Sequence, residues 1–166
     1  MVFGSDREKL NLYLREFESE SDRGCAVLML CALEDLLLQA IRCRLPECSN
    51  EEFRNLAPLG RLSLTISNAF VLGVLSERER ADFLLLVKVR NKFAHGAFLG
   101  LSFLHDDVVH LCNFLKLCDS FDDFVISDPR KRFMFSSMLL YLMLHDCSND
   151  KDWRLVLKEE TNYVIK

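Results

Sequence analysis

Six consecutive residues, Arg90 to His95, form the only grouping of chemically capable side chains at an interpretable spacing in this chain. They read Arg-Asn-Lys-Phe-Ala-His, which places a guanidinium, an amide, an ammonium and an imidazole within about two helical turns. An imidazole exchanges protons near neutral pH, and a guanidinium stabilises negative charge that develops on a reacting group. The run is therefore the candidate site for acid–base chemistry on an anionic substrate.

A structural role for the same residues is the alternative. Arg90 falls on the apolar stripe of its own predicted helix, and a buried guanidinium without a partner costs several kcal/mol. Glu34 and Asp35 interrupt another apolar helix, and they are the predicted ion-pair partners of Arg90. In this interpretation His95 lies in the last turn of its helix, where the helix dipole stabilises an imidazolium.

The spacing within the run limits which residues can act together. Asn91 and His95 are one turn apart and face the same way, whereas Arg90 and His95 are separated by about 140° around an ideal helix. The latter two meet only if the helix frays at Gly96 or if two copies of the chain pack together. Because equivalent residues meet at a two-fold interface, we predict a homodimer.

The elements that position these residues are predicted to be helical throughout. Ser-x-x-Glu capping boxes and a Ser-Asp-Pro start mark the beginnings of helices. Asp106 and Asp107 are typical first-turn acids of a helix that runs through Leu117, and Pro46 ends a long helix that begins near Asp22. We predict an all-α, single-domain bundle of about six to seven helices over residues 1–166. The helix starts lie at Ser5, Ser49, Ser76 and Ser127.

Residues 58–95 are predicted to form a helix, a tight turn and a second helix, which imitates a DNA-reading helix-turn-helix. That motif requires apolar residues on the inner side of its second helix, where this chain has Glu79 and Asp82. The second helix also begins with as many acids as bases, in the run Glu77-Arg78-Glu79-Arg80, and so suits phosphates poorly. We therefore expect no direct, sequence-specific DNA binding.

Charge and cysteine usage exclude further classes of function. The net charge of −4 argues against broad nucleic-acid binding, which normally needs a strongly basic face. The seven cysteines are odd in number and include no Cys-x2-Cys pair, and the chain shows no signal peptide. We expect reduced thiols in a cytoplasmic protein that uses no metal and no cofactor.

The longest apolar stretch, Phe133 to Leu144, is too short to cross a membrane. The basic run Arg130-Lys131-Arg132 just before it is compatible with an anchor on a membrane surface. Polar residues are too sparse on the helix that follows for that role. We predict a buried core helix here and no association with membranes.

Residues 58–95 contain four short motifs: Pro58-Leu59-Gly60, Leu62-Ser63, the Leu72-Gly73-Val74 turn and the Arg90…His95 ending. Together they resemble the mannitol operon repressor (MltR-like) family, and the likeness is loose outside this hairpin. The resemblance implies one all-helical domain that regulates transcription through protein partners and has no DNA-binding element of its own. Many relatives lie outside any mannitol operon, so the resemblance implies no particular pathway.

Arg90, Asn91 and His95 also resemble the Arg-x4–6-His motif of the HEPN superfamily, whose ribonucleases are small helical dimers. This resemblance implies an alternative function, as a metal-independent endoribonuclease or an RNA-binding module. A neutral His95 would take the proton of a ribose 2′-OH, while Arg90 would stabilise charge on the phosphate. Lys88 and Lys92 would add electrostatic attraction for the RNA.

Overall fold

The computed structural model describes residue 12 and residues 15–95, 100–119 and 126–149. These ranges contain six α-helices and one 3-10 helix, preceded by helical residues 15–19, and they contain no β-strand. The prediction of an all-α helical bundle is confirmed. In chain order the helices are α1 (Asp22–Arg44), α2 (Asn50–Leu56), α3 (Leu62–Val71), α4 (Glu77–His95), α5 (Asp106–Asn113), the 3-10 helix Leu117–Asp119 and α6 (Pro129–Asn149).

Two of the predicted capping boxes begin helices as expected. At α2, the backbone N–H of Ser49 donates to Glu52 Oε2 at 2.8 Å, and the Ser49 hydroxyl accepts the Glu52 N–H at 3.2 Å. At α4, the Ser76 N–H donates to Glu79 Oε2 at 2.7 Å. Each box satisfies backbone donors that have no partner within the first turn of a helix. The third box, at Ser5, lies outside the described residues.

Helix α1 is the central element of the bundle. It packs along α6 and against α4, while α3 and α5 flank α4 and α5 also contacts α6. The buried side chains of these helices belong to one continuous apolar cluster, so the helices share a single core. The fully buried members with the largest side chains are Phe83, Phe93, Phe133, Leu30, Leu33, Leu37, Ile41, Ile66, Leu86, Leu115, Leu140 and Leu144.

By length and composition alone, α1 is also able to cross a membrane, and it is the one helix of the described part of the chain that meets this test. The test does not separate a membrane helix from the core helix of a soluble protein. Half of the apolar 18-residue segment of α1 is buried against other helices, and Leu33 and Leu37 are at most 1% exposed. This packing is that of a core helix, and the expected absence of a membrane stays a prediction.

The predicted helix from Asp106 through Leu117 is too long, because α5 ends at Asn113. The carboxylate of Asp82, which is only 1% exposed, accepts the backbone N–H of Lys116 at 2.9 Å and that of Leu117 at 2.8 Å. These two donors therefore bind a side chain of α4 and not carbonyls one turn earlier in their own helix. The Asp82 carboxylate thus caps the 3-10 helix that begins at Leu117.

We expect Asp82→Ala to lower the free energy of unfolding by about 2–4 kcal/mol, because it leaves two backbone N–H groups without an acceptor. Burial raises the pKa of Asp82 despite those two donors, so its charge is itself costly to bury. Asp82→Asn retains one acceptor and removes the charge, and should cost less than half as much. Urea denaturation at pH 7 measures both variants. Equal losses in the two variants would show that the backbone N–H groups do not depend on this side chain.

Arg132 lies in the first turn of α6 and is 7% exposed. Its guanidinium donates to the carbonyl oxygens of Cys112 and Ile126 at 3.0 Å each, and to that of Leu115. It also binds both carboxylate oxygens of Asp119, at 2.7 and 3.0 Å, and lowers the pKa of that carboxyl group. One side chain therefore joins the end of α5, the 3-10 helix and the start of α6.

Arg130, two residues earlier, performs a similar role on the other side of α6. It pairs with Asp22 at 2.8 Å and donates to the carbonyl oxygens of Phe17 and Glu20, at 2.9 and 2.6 Å. The Phe17 carbonyl belongs to the last turn of helical residues 15–19, and the Glu20 carbonyl follows that turn. Carbonyl groups at the C-terminal end of a helix have no acceptor role within the helix, so they need another donor. Two of the three basic residues before Phe133 are thus used internally, as the prediction of a core helix requires.

Candidate functional site

Four polar side chains form one exposed face of α4 near its C-terminal end. Lys88, Asn91, Lys92 and His95 follow the i, i+3, i+4, i+7 spacing of a single helical face, and all four are exposed. The opposite face carries buried apolar residues that hold the helix in the core, among them Phe93. Core packing on one side therefore directs the polar side chains outwards together.

This face forms one wall of a cavity of about 610 Å³, which we call the α4–α5 groove. The loop before α5 and the helix α5 supply the other wall. The cavity therefore combines cationic, imidazole and amide groups with two leucines. The lining residues are Lys88, Asn91, Lys92, His95, Leu101, His105, Asp107 and Leu111.

One ion pair spans the α4–α5 groove. Lys92 Nζ lies 2.7 Å from Asp107 Oδ2, and this contact lowers the pKa of the Asp107 carboxyl group. His105 is the N-cap of α5, and its Nδ1 accepts the Asp107 N–H at 3.3 Å. With Nδ1 used as an acceptor, Nε2 is the ring nitrogen of His105 that can donate a hydrogen bond.

The side chains of Lys88, Asn91 and His95 make no hydrogen bond or ion pair within the described ranges. Among the described residues, the only carboxylate that lines the groove is that of Asp107, and it is already paired with Lys92. The unpaired groups on this wall therefore include one ammonium, one amide and one imidazole. Such a set favours a ligand that carries negative charge and accepts hydrogen bonds.

Arg90 does not line the groove. On an ideal helix its direction lies about 150° from the middle of the face formed by Lys88, Asn91, Lys92 and His95. Arg90 is half-buried, and its Nε is buried without a hydrogen-bond partner in the described part of the chain. The structure thus brings together four of the five candidate residues and leaves the arginine on the other side of α4.

The predicted pairing of Arg90 with Glu34 or Asp35 is not formed. Although α1 packs against α4, neither carboxylate lies within ion-pair distance of Arg90 among the described contacts. Asp35 is exposed and Glu34 is half-buried. A fully buried guanidinium requires a carboxylate partner, whereas the half-buried Arg90 side chain keeps part of its hydration and requires none.

The residues predicted for the site do not include His105, Asp107, Leu101 and Leu111. Asp107 is predicted only to lie in the first turn of a helix, and both His105 and Asp107 lie at the start of α5. Their second role, as the facing wall of the groove, depends on how α5 docks on α4. Asp107 is 15 residues away from Lys92 along the chain, so no local pattern indicates the contact.

Other chemistry finds little support among the described residues. They contain no group of three or more His, Cys, Asp or Glu side chains that is arranged to hold a metal ion. All seven cysteines are free thiols. Burial raises the pKa of Cys25 to about 11 and that of Cys112 to about 12, so neither forms an appreciable amount of thiolate at neutral pH.

The basic residues at the start of α4 are also occupied. Arg78 donates to the carbonyl oxygen of Lys116. The Arg80 guanidinium lies 4.3 Å from the centre of the Phe70 ring and 3.9 Å from the Glu77 carboxylate. Both arginine side chains are therefore engaged in contacts within the chain, Arg78 with a backbone carbonyl and Arg80 with a ring and a carboxylate.

The arrangement as a whole can bind an anion at the α4–α5 groove, but one chain does not assemble Arg90 and His95 into a catalytic pair. Comparisons of the chain with protein-family models, with curated proteins and with solved structures found no match, so the geometry of the groove and its surroundings is the basis for assigning a function.

Proposed function

We propose that this chain is a helical regulator that alters transcription through contacts with another protein, as its resemblance to the MltR-like family implies. The observation that carries the proposal is the position of Arg90 on the side of α4 away from His95. Metal-independent RNA cleavage would require His95 at the ribose 2′-OH and Arg90 at the neighbouring phosphate of the same substrate. A single chain separates them and so favours binding over catalysis.

The start of α4 also argues against direct reading of DNA by this chain. A groove-reading helix presents unpaired basic and amide side chains to phosphates and base edges. Here Arg78 and Arg80 are held by contacts within the chain, and Asp82 is buried as a backbone acceptor. Regulation by this chain therefore acts through a partner that itself contacts DNA or the transcription machinery.

Large apolar side chains on the first half of the hairpin provide a surface for such a partner. Leu59 is 83% exposed, Leu64 43% and Val71 81%. Leu64 and Val71 are seven positions apart on α3 and therefore share one face. We call these three side chains the α3 surface. Association of two copies of the chain, in the cytoplasm, is part of the proposal.

Transcript measurements in the native host test the proposal. Deletion of the gene should change the synthesis of a defined set of transcripts, and wild-type protein should reverse the change. His95→Ala should reverse it equally well, whereas the double variant Leu64→Asp, Val71→Asp should leave the transcripts at the level of the deletion strain. Charges in an apolar contact prevent binding, because they are buried without a partner.

Leu104→Asp is the matched control, because Leu104 is 75% exposed but lies outside the α3 surface. It should restore transcription as wild type does, and circular dichroism should show that all variants fold. Full activity of the double variant would contradict a role for the α3 surface. Loss of activity in His95→Ala, with the double variant active, would place the regulatory contact at the α4–α5 groove and not at the α3 surface. Unchanged transcripts after deletion of the gene would contradict the regulator proposal itself.

RNA binding or cleavage is the second candidate function. The observation that favours it is the shared position of Lys88, Asn91, Lys92 and His95 in one groove. Arg90 would then have to come from a second copy of the chain. Incubation of total RNA with the protein, without metal, tests this candidate. Cleavage by a mixture of Arg90→Ala and His95→Ala chains, and by neither alone, would establish it in place of the regulator.

A further inference from the structure

We propose that the α4–α5 groove is a binding site for a small organic phosphate monoester. This inference goes beyond the proposed regulator, because it concerns a ligand of the groove and not the partner of the α3 surface. It is independent of whether Arg90 and His95 ever act together.

The size and shape of the groove are those of a site for a small molecule. Its volume of about 610 Å³ falls within the range of about 300–1,000 Å³ that is typical of sites for small molecules. Such sites combine apolar walls with a few converging polar groups, and here Leu101 and Leu111 supply the apolar part. A ligand of this volume has a body that contacts the leucines and a polar group that contacts α4.

The charge of the polar wall favours an anion. The Lys88 ammonium has no partner in the described residues, and the only lining carboxylate is neutralised by Lys92 at 2.7 Å. An uncompensated cation next to a paired acid favours an anionic ligand. A cationic ligand would have to displace Lys92 from Asp107.

The number of hydrogen-bond donors in the groove favours a phosphate over a carboxylate. Lys88, Asn91 and His95 come from three positions on one face, and His105 adds an Nε2–H from the opposite wall. A phosphate monoester has three terminal oxygens, whereas a carboxylate has two, so the phosphate matches this donor set more fully. The ligand class is therefore a phosphate attached to a small organic body.

The test is a titration of ¹⁵N-labelled full-length protein, followed by NMR, with inorganic phosphate, AMP, ribose 5-phosphate and citrate. We expect at least one of the phosphate monoesters to shift the side-chain signals of Asn91 and His95 at concentrations up to about 10 mM. Adenosine, which has the body of AMP without its phosphate, should bind at least about tenfold more weakly than AMP. Inorganic phosphate should be weaker than the best monoester, because it makes no contact with Leu101 and Leu111.

Lys88→Gln should weaken binding of the best monoester by about five- to tenfold. Lys131→Gln is the matched control, because Lys131 is an exposed lysine that does not line the groove, and it should leave the affinity unchanged. Three outcomes would overturn the proposal: no monoester binds, both lysine variants weaken binding equally, or citrate binds more tightly than every monoester. Binding of a ten-nucleotide RNA without binding of any monoester would also overturn it and would support the RNA candidate.

Discussion

Replacement of Arg132 by methionine should lower the free energy of unfolding by about 3–5 kcal/mol. Methionine fills a similar volume but donates no hydrogen bond. The carbonyl oxygens of Cys112, Leu115 and Ile126 then lose their guanidinium donor in a buried environment. The Cys112 carbonyl keeps the Leu115 N–H as a donor at 3.2 Å, so the loss falls mainly on the carbonyl oxygens of Leu115 and Ile126. Each unsatisfied buried acceptor costs about 1–3 kcal/mol.

Urea denaturation followed by circular dichroism measures the effect. Lys131→Met is the matched control, because Lys131 is the exposed neighbour of Arg132 on the same helix. It should change the free energy of unfolding by less than about 0.5 kcal/mol. Similar losses in the two variants would mean that the hydrogen bonds of Arg132 do not stabilise the fold.

The effect of Arg132→Met should also depend on pH. Arg132 lowers the pKa of Asp119 in the folded state, so this carboxyl group contributes stability above its unfolded pKa of about 3.9. That contribution is lost as pH falls through the lower, folded pKa. The difference in stability between wild type and variant should therefore shrink below about pH 4, while the part due to the three carbonyls remains.

Phe103→Ala should lower the free energy of unfolding by about 3–5 kcal/mol, the usual cost of removing a buried phenylalanine ring. Phe103 is 2% exposed, and its ring centre lies 5.0 Å from that of Phe93 and 5.3 Å from that of Phe133. The ring thus connects α4 to α6 through the loop before α5. Its removal leaves a cavity that these two helices cannot close without moving.

The same substitution should affect the α4–α5 groove. Phe103 lies between Leu101 and His105 in the chain, and both of these line the groove. Leu104→Ala is the control, because Leu104 is the next residue and is 75% exposed, and its loss should cost less than about 0.5 kcal/mol. Hydrogen exchange should show faster opening of the loop at residues 100–105 in Phe103→Ala only. Unchanged exchange there would mean that the ring does not hold the loop.

The helices could be predicted from the sequence because their signals are local. The capping boxes at Ser49 and Ser76 involve residues three positions apart, and the apolar period of α4 repeats within a few turns. The end of α5 could not be predicted in the same way. It is set by Asp82, which lies more than thirty residues earlier in the chain and binds the N–H groups of Lys116 and Leu117.

Part of the candidate site could likewise be predicted from local spacing, and part of it could not. Helical spacing places Lys88, Asn91, Lys92 and His95 on one face, and it also predicts that Arg90 and His95 do not meet within one helix. The facing wall depends on the docking of α5, which no period in the sequence encodes. The partner of Arg90 was predicted from the cost of full burial, and the prediction failed because the side chain is only half-buried.

The position of α6 at the far end of the described chain has a consequence for folding during synthesis. Its main packing partner is α1, and the pair of Arg130 with Asp22 joins residues 108 positions apart. Contacts between such distant residues form late, because the intervening chain must first be brought together. A nascent chain that has not yet released α6 from the ribosome leaves the apolar face of α1 uncovered. The central helix therefore depends on the synthesis of α6 for its burial, and until then it is a surface that chaperones would be expected to bind.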